Sequence, residues 1–263
     1  MAKQLAGKSA VITGSTSGIG KAIAEAYARE GANVMLNGLG DAAQIEALRS
    51  RLAIENGVKV AFHAADMTKP AEIEDLIRSA ERAFGAVDIL VNNAGIQHVS
   101  PIETFPPERW DTMVAINLTA IFHTTRFALP GMKTRGGGRI INVASAHGLV
   151  ASPNKSAYVA TKHAVIGFTK ATAVEVAESG VRANAICPGF VLTPLVQKQI
   201  DDLASLHGIP KEQAARDYIL APHPTKRFVK VEEIAATAVF LASEGAAEIT
   251  GASFVVDGGW TAR

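Results

Sequence analysis

Ser9-Ala10-Val11-Ile12-Thr13-Gly14-Ser15-Thr16-Ser17-Gly18-Ile19-Gly20 begins as a short β-branched strand and runs directly into three closely spaced glycines. Beyond them Ile19, Ile23, Ala26 and Tyr27 recur at helical spacing, and Gly31 is placed to cap the far end. Glycines let the connection tighten and let backbone N–H groups approach an anion such as a pyrophosphate. A helix N-terminus stabilises the same charge. The spacing is G-x-x-x-G-x-G, not the G-x-G-x-x-G of the commonest dinucleotide fingerprint. A tight strand–helix connection without a ligand is the plain alternative. The strand before the turn and the helix after it favour phosphate binding.

The same alternation continues outward. Strand candidates are Ser9–Thr13, Asn33–Asn37, Val58–His63, Val87–Asn92, Arg139–Ser145, Val181–Cys187 and Phe254–Val256, with helix-period segments between them. Several are apolar on both faces, as parallel strands covered by helices on two sides must be. The expectation is an α/β fold: a single doubly wound Rossmann-type domain over residues 1–263, with about seven parallel strands joined by right-handed crossovers. Residues 189–226 break the rhythm, opening with Pro188-Gly189 and closing with Ala221-Pro222-His223-Pro224 around an amphipathic helical stretch. So long an insertion between a strand and the next helix is often a lid. A helical hairpin that merely covers the sheet is the other reading. Its place beyond the carboxyl end of a strand favours the lid.

Composition narrows the function classes. Hydrophobic residues are 48% of the 263, and 26 Lys and Arg stand against 25 Asp and Glu. Without a basic face, nucleic acid and acidic membranes are poor partners. Cys187 is the only cysteine, so no intrachain disulfide forms, and a reducing compartment fits. No room for a signal peptide precedes the first strand, and the apolar run Ala235 to Ala242 is too short for a bilayer. A cytoplasmic protein is expected.

Further motifs follow in order: Asn92-Asn93-Ala94-Gly95 after the fourth strand, Asn117 in the next helix, Ser145 ending the fifth strand, Tyr158-Val159-Ala160-Thr161-Lys162, and Pro188-Gly189 after the sixth. Together with the glycine turn, they make the chain resemble the short-chain dehydrogenase/reductase family along nearly its whole length. The resemblance implies a nicotinamide cofactor held by Gly14, Ser15, Thr16, Gly18, Ile19 and Gly20, by Leu39, and by Asp66 and Met67. It extends that set to Asn93, Ala94 and Gly95, to Tyr158 and Lys162, and to Pro188, Gly189, Val191 and Thr193. Asp66 matches the family's adenine-contacting Asp, although a turn or helix cap ahead of Pro70 is an equally simple role. Relatives that use NADP often carry a basic residue before the second glycine or at the end of the second strand. Ser17 and Asn37-Gly38-Leu39 stand there instead. No acid stands there for the ribose either. Absence of a cation is the stronger clue, and it favours NAD.

Hydride transfer from an alcohol needs a base for the hydroxyl proton. A free Tyr has a pKa of about 10, and a nearby cation lowers it. Lys162 is four residues after Tyr158, so a helix brings both to one face. Ser145 lies at a strand's carboxyl end, where its hydroxyl can hold the substrate oxygen. By resemblance, Lys162 also bonds the nicotinamide ribose and Asn117 holds a relay water. An Asn that satisfies helix backbone competes with the latter role. No metal site is expected, since the His residues form no ligand-like cluster.

Taken singly, Gln97, His147, Lys155 and Gln199 are each more often solvated surface residues, but jointly they would surround one pocket with donors, a set suited to a carboxylate. Ser145 to Leu149, Asn154 to Tyr158 and the tail Asp257 to Arg263 resemble the bacterial D-3-hydroxybutyrate dehydrogenases of the family. There the matching residues, with Ser145 and Tyr158, bind the substrate. Phe190 departs from the Trp found after Pro-Gly in some of them, so a related 3-hydroxy acid stays open. So do a 3-oxoacyl-carrier-protein reductase, which would prefer NADPH, and a nonenzymatic NAD sensor, which tends to lose the Tyr or Lys. The resemblance also implies a homotetramer.

Overall fold

The computed structural model describes residues 3–262. Seven strands, β1 (Ser9–Ile12), β2 (Asn33–Asn37), β3 (Val60–His63), β4 (Ile89–Asn92), β5 (Gly138–Val143), β6 (Val181–Pro188) and β7 (Ser253–Val256), form one sheet. Their order is β3-β2-β1-β4-β5-β6-β7, and every pairing is parallel. Helices α1 (Gly18–Arg29), α2 (Ala42–Asn56) and α3 (Pro70–Phe84) make the first crossovers. Then come α4 (Pro107–Val114), α5 (Ala120–Thr134), α6 (Ser156–Glu175), α7 (Pro194–His207), α8 (Lys211–Ala214) and α9 (Val231–Ala242).

Strand β1 shows why its residues are apolar on both sides. Ala10 and Ile12 join a buried cluster with Ile23 and Tyr27 of α1 and with Ile234 and Ala238 of α9. Val11 points the other way, into a cluster with Leu76 and Ile77 of α3 and Met132 of α5. Period-two alternation therefore feeds two helix layers from one strand. Tyr27 is fully buried, and its hydroxyl donates to the Ala238 carbonyl at 3.0 Å, tying α1 to α9.

All seven expected strands are present, with ends that move by up to two residues. β1 stops before Thr13 because that side chain turns to serve a loop: its Oγ1 accepts from the N–H groups of Asn93 and Ala94, each at 3.0 Å. β5 stops at Val143, so Ser145 lies two residues beyond the strand and caps a single 3-10 turn, Ala146–Gly148. Asn117 is not in a regular α-helix. It lies in a π-helical segment, Ala115–Thr119, between α4 and α5, a distortion common at functional sites. Pro188 closes β6 rather than following it.

The insertion holds α7, α8 and a π-helical turn, Ala215–Ile219. Val196, Ile200, Ala204, Ala214 and Ile219 give it a buried apolar cluster of its own, separate from the sheet's, with Phe190 and Phe228 packed against it. Among the described residues no helix is long and apolar enough to cross a membrane.

Candidate active site

The sheet reverses its order of growth between β1 and β4, and a crevice must open where the crossovers diverge. A cleft of about 430 Å³ lies at the carboxyl ends of these strands. Gly14, Thr16, Gly18 and Ile19 of the glycine turn line it, with Leu39, Asp66, Met67, Asn93, Ala94, Gly95, Pro188, Gly189, Val191 and Thr193. Gly14 has φ +63°, and a Cβ there would sit 3.0 Å from the Ala94 Cα. A Cβ on Gly20 would drive into the Gly14 carbonyl and the Asn93 amide. That amide donates to the carbonyls of Thr13 and Gly14 at 2.9 and 3.0 Å, so the turn and the Asn93 loop close on each other. The turn thus presents backbone at the start of α1, where an anion is favoured.

Two expected cofactor residues do not line the cleft. Ser15 is fully buried, and its hydroxyl donates to the Ile12 carbonyl at 2.8 Å, inside the turn. Gly20 supplies clearance rather than contact. Asp66 lines the cleft and is also a turn residue: its Oδ1 accepts from the Thr68 N–H at 2.9 Å and hydroxyl at 2.8 Å, which hold the carboxyl below its ordinary range. Among the described residues at the Leu39 end of the lining there is no Lys or Arg. Clearance at the glycine turn and backbone at the start of α1 together fit a dinucleotide.

Ser145, Tyr158 and Lys162 meet in the same cleft. Gly148 makes this possible, because a Cβ there would lie 2.7 Å from Ile166 Cδ1 and 2.8 Å from the Lys162 carbonyl oxygen. The 3-10 turn therefore lies directly on α6. Lys162 is buried, and its ammonium donates to the Val143 carbonyl at 2.8 Å, 5.6 Å from the centroid of the Tyr158 ring. Burial lowers its pKa to about 8. Burial also raises the Tyr158 phenol, with the Ser145 hydroxyl pulling partly the other way. The expected lowering of Tyr158 by the neighbouring cation is therefore not the net result in this environment, where desolvation dominates. Asn117 is fully buried and clamps one residue: its Oδ1 accepts from the Ile96 N–H at 2.9 Å and its Nδ2 donates to the Ile96 carbonyl at 3.0 Å. It does not line the cleft, and the backbone it satisfies is that of the Gly95 loop rather than its own helix.

At the far end, Gln97 and His147 line the cleft. Gln97 Nε2 is buried with no hydrogen-bond partner among the described residues, a donor that a ligand would satisfy. His147 is held neutral, its pKa lowered to about 3 by burial and then by the Lys155 charge, and its Nε2 lies 2.9 Å from the Ser152 hydroxyl. It is therefore not the cation its type suggests. Lys155 is buried, lowered to about 8 by desolvation, with its ammonium 4.9 Å from the centroid of the Phe190 ring. Gln199 stands on α7 three residues past Val196. Val196 lines the cleft, and neither Gln199 nor Lys155 does.

A family model described as enoyl-(acyl carrier protein) reductase matches residues 14–261. The chain is 60% identical to a D-beta-hydroxybutyrate dehydrogenase of Cupriavidus necator over 98% of this chain and 100% of that one. It is 56% identical to a second D-beta-hydroxybutyrate dehydrogenase, from Rhizobium meliloti, over 97% and 99%. The chain belongs to the short-chain dehydrogenase family. A solved short-chain structure, L-sorbose reductase from Gluconobacter frateurii complexed with NADPH and L-sorbose, overlays with a TM-score of 0.94 at 36% identity, covering all of both chains.

In this short-chain dehydrogenase several contributors escaped the sequence reading. Trp260 lines the cleft and stacks on Phe190, ring centroids 5.2 Å apart and planes 8° from parallel, while His147 meets it edge-on at 4.8 Å. His223 Nε2 accepts from the Phe190 N–H at 3.1 Å, which leaves Nδ1 to donate to the Arg227 carbonyl at 3.1 Å. A Cβ on Gly189 would meet that ring at 2.7 Å. The tail is held by buried Asp257, whose oxygens accept from the N–H groups of Gly259 and Thr261 and so fold Trp260 back over the cleft. Only the tail's two glycines hinted at such a turn.

Proposed function

We propose that this chain is an NAD-dependent dehydrogenase that interconverts D-3-hydroxybutyrate and acetoacetate. The observation that carries the reading is the orphaned Gln97 donor in the cleft beside Ser145, Tyr158 and Lys162, with buried Lys155 behind the Phe190 ring that lines it. A secondary alcohol with a carboxylate two carbons away satisfies both halves of such a site. The identity to two D-beta-hydroxybutyrate dehydrogenases supports the same choice.

NAD, when bound, supplies the hydride acceptor. The glycine turn and the N-terminus of α1 hold its phosphates, and Leu39, Asp66 and Met67 flank its other end. Tyr158 takes the substrate's hydroxyl proton during oxidation and returns it during reduction. Ser145 donates to the substrate oxygen and favours the phenolate. Lys162 adds positive potential beside that phenolate and hydrogen-bonds the ribose, while Asn117 fixes the Gly95 loop and the relay water. Lys155, Gln97 and neutral His147 orient the carboxylate, and α7 closes over it with Gln199.

The whole chain works as a single unit in the cytoplasm, as a homotetramer. Exposed Trp110 and Phe122 on α4 and α5, and Phe240 and Val255 on α9 and β7, supply apolar faces for two kinds of contact. The test is NAD reduction with D-3-hydroxybutyrate, its L-enantiomer and shorter and longer 3-hydroxy acids. Activity confined to the D-four-carbon acid supports the reading, and equal activity with uncharged alcohols overturns it.

A further inference from the structure

Asn37 ends β2 fully buried, and every polar atom it has is engaged. Its N–H donates to the Ser15 hydroxyl at 3.0 Å, and its carbonyl accepts from the Ser15 N–H at 2.7 Å. Its Oδ1 accepts from the Gly14 N–H at 3.2 Å, and its Nδ2 donates to the carbonyls of His63 and Ala65 at 3.1 and 3.0 Å. The amide's orientation is therefore determined. Turned over, it would set NH2 against an N–H and an oxygen against two carbonyls.

These partners belong to two separate loops. Gly14 and Ser15 are in the glycine turn, and His63 and Ala65 lead into Asp66 and Met67. Both loops line the cofactor cleft, on opposite sides of β2's end. A dinucleotide fold ordinarily carries an acid near this strand end to grip the ribose. Here the next residue is Gly38, where a Cβ would lie 2.5 Å from the Thr16 hydroxyl oxygen. A side chain there would have to displace that of Thr16 and hold a φ of +156°, so the position favours glycine over a residue that reaches the ribose.

We propose that Asn37 is a positioning residue for the cofactor. It locks the glycine turn to the Asp66 loop and sets the width of the groove before the dinucleotide enters. It reads protein carbonyls where an acid would read the ribose. The proposal rests on the reading that the cleft takes a nicotinamide dinucleotide. Its consequence is specific: loss of the lock weakens binding of NAD and leaves the chemistry at Tyr158 intact, because preorganisation is spent on binding.

The test uses the full chain and the variants Asn37→Ala and Asn37→Asp. Binding of NAD is followed by quenching of tryptophan fluorescence, with kcat, both KM values and Tm measured alongside. The expected result is a rise of about tenfold or more in the Kd and KM for NAD. At saturating NAD, kcat per folded protein and the KM for the hydroxy acid stay near wild type. Asn37→Asp sets a carboxylate against two carbonyls, so its NAD affinity improves as pH falls and a proton restores one donor. Asn37→Ala lacks that dependence. A merely structural Asn37 would lower Tm and kcat together and leave the KM for NAD unmoved, and that outcome overturns the proposal. If Asn37→Ala does not fold, the pH dependence of Asn37→Asp decides alone. A wild-type chain that binds no NAD strikes the functional reading instead, whatever the variants do.

Discussion

The Lys162 ammonium stands 5.6 Å from the centroid of the Tyr158 ring, one helical turn away, and donates to the Val143 carbonyl at 2.8 Å. In the proposed mechanism it acts on the phenol through space, as a positive potential held by the end of β5. The phenol itself is raised by burial and eased by Ser145, so its resting form at neutral pH carries the proton. That form is the acid for ketone reduction, and alcohol oxidation requires its loss. Tyr158→Phe keeps the ring and removes the oxygen. Turnover should fall on the order of 10²–10⁴-fold in both directions, with the Kd for NAD nearly unchanged. A variant that keeps more than half the wild-type turnover would show that another group moves the proton.

The two buried lysines give pH dependence a definite sign. Burial lowers Lys155 to about 8 from 10.5, so it is charged below pH 8 and loses its charge above. The KM for a 3-hydroxy acid should be flat below pH 8 and rise above it, by at most about tenfold per pH unit. The KM for an uncharged alcohol of the same size should not follow. The folding consequence runs the opposite way. Because burial penalises the charged form of Lys155 and Lys162, the unfolded chain holds more protons between pH 8 and 10.5, and stability from these groups increases across that window. Lys155→Met should accordingly raise Tm while it weakens the acid, at roughly 2–4 °C for each kcal/mol recovered. An acid KM that stays level to pH 9.5 would remove Lys155 from the carboxylate.

What the sequence made legible was whatever repeats with a period or stands in a motif. Alternation of strand and helix and the glycine turn announced the parallel doubly wound sheet and binding beyond the carboxyl ends of its strands. Ser145, Tyr158 and Lys162 were readable because strand end and helix spacing bring them together. The misreadings share one cause: residue type does not say which way a side chain faces or how far it is desolvated. Ser15 sits among cleft residues and faces the interior. Asn37 was noted only as standing where no cation or acid is found, and it binds two loops. Trp260 reaches the cleft only because the Asp257 carboxylate folds the tail, a long-range fact without a local period.

Cofactor preference follows from the bare Leu39 end of the cleft. A 2′-phosphate there would meet no Lys or Arg among the described lining residues, and an unpaired phosphate is poorly accommodated. Catalytic efficiency should favour NAD over NADP by at least about tenfold, or roughly 1.4 kcal/mol. Leu39 is 76% exposed, so Leu39→Arg costs no core packing and should narrow the gap by pairing with the phosphate. Steady-state kinetics with both cofactors measure it. Equal efficiencies in the unaltered chain would favour the carrier-protein reductase reading over the hydroxy-acid one.

The carboxylate pocket is the most discriminating place to probe. Lys155 is 9% exposed, with its ammonium over the Phe190 ring, and Gln97 holds a buried donor with nothing to bond. A desolvated cation and an idle donor are both costly to maintain, and a carboxylate that reached both would relieve them together. A hydrogen bond to a charged group is worth roughly 1.5–3 kcal/mol. Lys155→Ala should therefore lower kcat/KM for D-3-hydroxybutyrate by about one to two orders of magnitude. The loss should be much smaller for a neutral secondary alcohol of similar size, which has no charge to offer Lys155. Gln97→Ala should repeat the pattern more weakly, since it removes a neutral donor. Combining both changes separates the roles further: two groups on one carboxylate lose less together than the sum of their separate losses. If Lys155→Ala harms the acid and the neutral alcohol equally, the lysine is bracing α6 and the Tyr158 ring, and the acid must be held elsewhere.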